Sequence, residues 1–390
     1  MHPSHHAVAA VPYWRLSSFY LFYFASLGAL IPYFGLYLQA LGFSAREIGE
    51  LMATLMITRL VAPNVWAWLA DHRGQRMAIV RLASLLAALC FAGIFWGQGY
   101  WWLVLVMSLF SFFWNASLPQ FEATTLSYLG KHSHHYSRIR VWGSVGFILS
   151  VWGLGIWLET QPVIWIPLTV LGLFSAIWVN SLLVPERRGG HSQHTTGSLL
   201  SVLRRPLVLA LLGACFLMQA SHGPYYTFYT LYLSSVGYSQ GLIGGLWALG
   251  VAAEVGVFLV MHRMLLRFGL RRLLLASFAL AALRWLMIGW GVQQGWVLVL
   301  AQLLHAASFG IYHATVMQLI HRYFTGRHQG RGQALYSSVS FGAGGALGTV
   351  LSGYSWEYSP ALTYSGAAGA CLLGGLIVWR WLRDLDAPDA

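Results

Sequence analysis

The chain has 390 residues, 57% hydrophobic and only 9% charged, with a formal net charge of +12 at pH 7. A soluble domain carries about a quarter charged residues, so this chain cannot build a water-facing surface and most of its exterior must meet lipid. The positive charge recurs in alternate loops rather than in one segment, which excludes a nucleic-acid reading and points to membrane topology.

Twelve apolar stretches are long enough to cross hydrocarbon roughly 30 Å thick. They run over 13–38, 46–69, 75–97, 101–129, 138–158, 163–184, 206–234, 240–262, 271–291, 296–323, 331–354 and 360–382. Long apolar runs in place of short alternating ones predict helices, not barrel strands. The expected fold is therefore an all-α membrane protein. Arg73 and Arg76, Lys131 and Arg138, Arg204 and Arg205, Arg267 and Arg271, and Arg322 and Arg331 fall in one set of loops. The opposite loops hold Arg46 as their one basic residue, with Glu47, Glu159 and Glu357. The positive-inside rule then places both termini in the cytoplasm. Span 1 has no signal-peptide pattern before it and is expected to remain as a membrane helix. Cys90, Cys215 and Cys371 lie inside spans, so free thiols are expected.

The chain also contains itself twice. Between Leu38–Ala53 and Leu233–Ala248, seven of sixteen positions are identical at an offset of 195, and Gly74 and Arg76 meet Gly269 and Arg271 in the same register. Pseudo-symmetric sets of apolar helices suit a transporter whose halves rock about a shared central site. The expected units are an N-terminal six-helix half (1–184), a cytoplasmic linker (185–205) and a C-terminal six-helix half (206–390).

Polar residues in spans 1, 4, 7 and 10 each fall on one helix face: Tyr23 and Tyr33; Ser111, Asn115 and Glu122; Gln219, His222, Tyr226 and Tyr229; Gln302, His305 and His313. Each residue alone reads as an interhelical hydrogen bond. Recurrence at every third helix predicts a shared wet cavity. Arg59, Glu122, Arg140, Glu254, Arg284 and His305 are the charged or titratable residues in or near the spans. Each isolated charge costs about 2.5–3.5 kcal/mol on insertion scales, so such groups must be paired, wet or used. Three arginines against two glutamates leave one cation to attract a carboxylate. Tyr23 and Tyr226 are aromatic surfaces for an organic substrate.

The segment AWLADHRGQRM (67–77) and the twelve spans resemble the major facilitator superfamily; Asp71, Arg73, Gly74 and Arg76 match the loop that latches the cytoplasmic side in that family. Glu122, followed after eighteen residues by Arg140 within Arg138-Ile-Arg140-Val-Trp142-Gly143, resembles the lactose permease-like symporters, as do Glu254, Arg284 and His305 on spans 8, 9 and 10. The second span-10 acid of that group is absent; Ser308 and Phe309 occupy the turn after His305. The segments QASHGPYY (219–226), LRWLMIG (283–289) and QLLHAASFGIYHA (302–314) are similar to the bacterial 3-phenylpropionate transporter group.

That resemblance implies a secondary transporter of the bacterial cytoplasmic (inner) membrane, importing a small aromatic monocarboxylate together with a proton. It implies a substrate site at Glu122 and Arg140, to which the polar faces, the charge count and the aromatic surfaces add Arg59, Asn115, Tyr23, His222 and Tyr226. Glu254, Arg284, His305 and His313 would then couple the proton. A monomer in lipid, without nucleic acid, cofactor or metal, completes the expectation. The alternatives are sugar or nucleoside symport, drug efflux, and a sensor without transport. No nucleophile–base pair or metal ligand set points to an enzyme. The loop histidines, including His132, His134 and His135, lack the cysteines or acids of a zinc site. The glycine run 341–348 is expected to serve helix packing.

Overall fold

The structure, a computed structural model, describes residues 11–186, 202–325 and 329–382, except for the side chains of Asp71 and Arg73. Most of the 185–205 linker, His2, His5, His6, His191, His194 and both termini lie outside these residues.

The described residues form helices joined by short turns. These are α1 (Tyr13–Ala40), α2 (Ala45–Arg73), α3 (Arg76–Ala92), α4 (Tyr100–Leu129), α5 (Tyr136–Trp157) and α6 (Trp165–Leu183). A second series follows as α7 (Pro206–Ser235), α8 (240–268), α9 (270–291), α10 (Gly295–Tyr323), α11 (Gln329–Trp356) and α12 (Pro360–Trp381). Helices α8 and α9 form one 52-residue run broken at Gly269, whose φ of 75° interrupts the helix. By length and composition alone, nine of the described helical runs are apolar enough to cross a membrane. Two of them, Tyr100–Trp157 and Gln240–Gly291, have 58 and 52 residues. At 1.5 Å per residue each is more than twice as long as the hydrocarbon is thick. The first is broken by the turn at 130–135 and the second at Gly269. Helix α2 is outside the nine because Arg59, Pro63 and Asn64 lower the hydropathy of its central stretch. Dividing the two long runs and including α2 accounts for all twelve expected segments.

The internal repeat recurs as turn chemistry. Gly42 and Gly237 have φ of 90° and 93°, and Gly74 and Gly269 have φ of 65° and 75°. A residue with a Cβ is strained at such angles, so each copy needs its glycine. Ser44 and Ser239 both cap the helices that follow, accepting from Glu47 N and Leu242 N. Ser44 and Glu47 complete a capping box.

Helix α1 packs against α5 and α6, and α3 against α4 and α6; α12 packs against α7 and the α8–α9 run. The two series meet through α1 with α7, α2 with α11, and α5 with the α8–α9 run. Small residues allow these approaches. A Cβ on Gly49 would lie 2.8 Å from Gly353 Cα, and one on Gly353 would lie 2.9 Å from Ala45 O. Nearby, Tyr354 Oη donates to Glu50 Oε1 (2.8 Å), Tyr100 Oη donates to Glu50 Oε2 (2.7 Å), and Arg46 lies 4.6 Å from the Tyr354 ring centre. Between α5 and α8, Gly241 N donates to Glu159 Oε1 at 3.1 Å. All of these but Tyr100–Glu50, which lies within the first series, join the two series at the face carrying Glu50 and Glu159, here called the acidic face; the opposite, basic face carries Arg138 and Arg322.

Leucine at Gly49 would meet backbone, which cannot move aside as a side chain can. We predict that Gly49→Leu separates the series at the acidic face. Spin labels at Gln39→Cys and Tyr358→Cys, in a background without the native cysteines, should report a longer distance than without Gly49→Leu; an unchanged distance would refute the role of this contact.

Candidate functional site

Helix α4 carries a polar face into the bundle. Asn115 Nδ2 donates to Thr58 Oγ1 (3.0 Å) and Leu55 O (3.4 Å), and Thr58 donates to Ser111 Oγ (2.9 Å). This fixes the Asn115 carbonyl, which accepts from Arg59 Nε at 3.3 Å. Arg59 and Asp71 are twelve residues apart on α2, about 18 Å at 1.5 Å per residue, so Arg59 belongs to this inner cluster and not to the turn at Gly74.

Two turns further along α4, Glu122 Oε1 lies 3.6 Å from Arg140 Nε, with both side chains about one-third exposed. Tyr136 Oη donates to the same carboxylate oxygen at 3.1 Å. Arg140 lies 3.9 Å from the Phe24 ring centre and 5.4 Å from that of Tyr20. The pair is thus partly wet, with one carboxylate oxygen and most guanidinium donors available. Tyr23 is buried, stacks on Trp114 at 5.2 Å, and lies within electrostatic range of Arg59, Glu122 and Arg140.

The second series faces this cluster. Glu254 on α8 and His305 on α10 approach to 3.5 Å between Oε2 and Nε2. Arg140 lies within electrostatic range of both Glu254 and His313, and Tyr226 within range of Glu254 and Arg59. The groups predicted for the substrate site and the proton site therefore share one region. Along α10, residues Ala306–Ile311 form a π-helical turn, a distortion frequent at functional sites. It aligns His305, Phe309 and His313 as a stack of parallel rings, with centroids 5.5 and 5.9 Å apart. His313 Nδ1 is 3.2 Å from Tyr336 Oη on α11.

Arg284, which the sequence groups with Glu254 and His305, is fully buried on neutral partners. Nε donates to Ala301 O (3.0 Å), Nη1 to Ser308 Oγ (3.1 Å) and Nη2 to Gln302 Oε1 (3.3 Å). The Tyr225 and Trp285 rings lie 4.2 and 4.6 Å away. Such rings attract a desolvated cation through their quadrupoles. Tyr225 Oη also donates to Gln302 Oε1 at 3.1 Å. Ser308, in the turn after His305, is thus a neutral partner of Arg284. His222 is fully buried as well, with Nδ1 2.8 Å from Met218 O and its ring edge-on to Trp285. It lies behind Tyr226, on which it stacks at 5.7 Å.

Sequence reasoning missed Tyr136, Tyr225 and Tyr336 and gave Ser308 no role; each bonds a predicted residue through a neutral side chain. It also missed Glu186, whose carboxylate accepts from Met77 N (3.2 Å) and Ala78 N (3.1 Å) at the start of α3. Of the predicted latch, Gly74 forms the left-handed C-cap of α2, its N–H bonded to Ala70 O. Cys90, Cys215 and Cys371 are free. Among the described residues, no group of three or more His, Cys, Asp or Glu side chains is placed to hold a metal ion.

This arrangement, polar groups from two packed helix series converging inside an apolar bundle, defines a membrane transporter. The chain belongs to the MFS_1 like family, which matches residues 13–365. It is 30% identical over 348 residues to the "Probable 3-phenylpropionic acid transporter" of Escherichia coli (strain K12), covering 87% of this chain and 90% of that one. It is 27% identical over 343 residues to the maltose permease of Geobacillus stearothermophilus, covering 87% and 86%. Among solved structures, a point mutant of the nucleoside transporter NupG superposes with a TM-score of 0.85 at 16% identity, over 95% of this chain and 100% of that one. The POT family transporter PepTSo superposes with a TM-score of 0.74 at 10% identity, over 97% and 98%. The fold is thus the major facilitator fold, and the protein is a secondary transporter.

Gln302→Leu would remove the acceptor shared by Arg284 and Tyr225. A hydrogen bond to a charged group contributes roughly 1.5–3 kcal/mol. The variant should melt below the parent protein in detergent, with an unchanged midpoint contradicting the neutral cradle for Arg284.

Proposed function

We propose that this chain imports a small aromatic monocarboxylate, of the 3-phenylpropionate type, together with a proton across the bacterial cytoplasmic membrane. The observation that carries this reading is the partly exposed Arg140–Glu122 pair, whose guanidinium lies within electrostatic range of Glu254 and His313 on the second helix series. The relative named for 3-phenylpropionic acid supports the substrate class.

In this reading Arg140 binds the carboxylate, because a guanidinium offers a planar fork of donors to two oxygens. Glu122 and Tyr136 hold Arg140 in place, while Arg59, oriented by Asn115, adds positive potential. Tyr23 and Tyr226 receive the aromatic ring, and His222 backs Tyr226. Glu254 carries the proton, His305 hydrogen-bonds it, and Arg284 supplies a fixed positive field from its buried cradle. Residues 1–184 and 206–390 move as two halves about this site, joined by 185–205. Asp71, Arg73, Gly74 and Arg76 latch the basic, cytoplasmic face when the acidic face opens, and both termini are cytoplasmic. The protein works as a monomer in lipid, with no bond-making chemistry and no cofactor.

A carboxylate in a low-dielectric site must shed its charge or be paired before the halves can move, and that requirement couples substrate to proton. Uptake is therefore expected to rise as external pH falls. Glu254→Gln should abolish concentrative uptake of labelled 3-phenylpropionate driven by an inward proton gradient in proteoliposomes, while retaining part of substrate counterflow. Protein-free liposomes correct for passive entry of the neutral acid. Full accumulation by Glu254→Gln would remove Glu254 from the coupling role. Competition by maltose or a nucleoside, with none by carboxylates, would transfer the assignment to neutral substrates, a possibility motivated by the maltose permease relative.

A further inference from the structure

A proton carried by Glu254 must also leave it, and the surroundings of that carboxyl limit where it can go. Glu254 lies across α10 beside Gly310, where a Cβ would come 3.2 Å from Glu254 Cγ. Gly310 sits between His305 and His313 in sequence, within a π-helical turn that keeps both imidazoles on one face. His305 is the inner of the two, with a side chain 7% exposed and an Nδ1 that is buried without a partner. His313 is half-buried, with Nδ1 3.2 Å from Tyr336 Oη. Between the two rings stands the Phe309 ring, parallel to both. A benzene ring has no lone pair or exchangeable hydrogen, so no proton passes directly from one histidine to the other. Only a mobile group beside the stack can serve both.

We propose that the Glu254 carboxyl swings past Gly310 from His305 to His313, and that His313 with Tyr336 releases the proton to the basic face. This inference rests on Glu254 being the proton carrier. Rotation about the side-chain torsions of Glu254 carries its carboxyl along α10, and glycine at 310 leaves the path clear. With Nδ1–H donated to Tyr336 Oη, His313 presents the Nε2 lone pair. The O–H bond of Glu254 breaks and an N–H bond forms on His313, leaving a carboxylate and an imidazolium. The imidazolium then gives one proton to water. The charged and titratable groups within range of this transfer are Arg140 from α5, Tyr226 from α7, Arg284 from α9, His305 from α10 and Tyr336 from α11, the last in contact with His313. Arg140 repels the imidazolium and so favours release. The acidic-face contacts at Gly49–Gly353 and Glu159–Gly241 are closed in this structure, which suits the release stage. Gly310 is a positioning residue in this scheme, while His313 exchanges the proton itself.

The test uses the full chain in proteoliposomes, with His313→Ala and Gly310→Ala. Both should lose proton-driven accumulation of 3-phenylpropionate by at least about tenfold, below the typical contribution of a positioned proton-transfer group, while retaining measurable counterflow as evidence of folding. Imidazole at the basic face should restore accumulation to His313→Ala but not to Gly310→Ala, a split that a structural role for His313 would not produce. Parental accumulation by either variant, or no rescue of a His313→Ala protein that still performs counterflow, overturns the proposal. If Gly310→Ala loses counterflow as well, His313→Ala and its rescue decide alone. If the unaltered protein accumulates substrate without a proton gradient, the proton-coupled reading itself fails, and this proposal fails with it.

Discussion

A charge inside a lipid-embedded bundle must find a partner, find water, or be neutralised, because leaving it bare costs several kcal/mol. This chain meets that requirement in three ways. Arg284 is taken out of solvent altogether and spread over a carbonyl, a hydroxyl, an amide and two aromatic rings. Glu254 is set against a histidine, a partner whose own charge can change. Arg140 and Glu122 remain partly wet. A fixed charge, a switchable one and an accessible one thus lie within electrostatic range of one another.

The helix packing serves that region. Glycines bring α2 against α11 at Gly49 and Gly353, while α5 meets α8 where Gly155 and Gly244 approach Gln240 O and Val151 O. These contacts close one face without long side chains that would have to be disentangled before the face could open. The acidic residues beside them, Glu50 and Glu159, bond across the same boundary to a tyrosine hydroxyl and a backbone N–H. Single hydrogen bonds of this kind hold a state in place and are exchangeable with water. Two π-helical stretches, Ala306–Ile311 and Ser337–Gly344, lie on either side of the His313–Tyr336 contact. Local irregularity is thus concentrated beside the candidate proton site.

Much of this was legible in the sequence, for reasons that can be named. The repeat pairs Gly42 with Gly237, Gly74 with Gly269 and Ser44 with Ser239; the glycine pairs share a positive φ and the serine pair a capping role. Glu122 and Arg140 stand out because charge is rare in an apolar chain, and they meet. Helix α2 is the span that Arg59, Pro63 and Asn64 hide from a hydropathy criterion, yet its apolar residues and its place in the repeat reveal it. The setting of Arg284 was not legible. Its partners Gln302, Ser308 and Tyr225 are neutral and common in helices, and consecutive placement on spans 8, 9 and 10 says which helices carry Glu254, Arg284 and His305 but not which side chains each of them touches. His222 likewise shares a face with Tyr226 by helical spacing, but the chain turns at residue 222 between two helical stretches and buries the ring. Angular position on one helix does not reveal which layer of the bundle a side chain reaches.

Substrate recognition in this reading depends on a partly wet guanidinium receiving a carboxylate attached to an aromatic group. Calorimetric titration of the purified protein with 3-phenylpropionate and with 3-phenylpropanamide isolates that interaction, since the two differ only in the charged end. We expect saturable binding of the acid and affinity at least roughly tenfold lower for the amide, in line with the strength of a charge-assisted hydrogen bond. Equal binding of the two, or binding of maltose or a nucleoside in preference to both, would contradict recognition by charge.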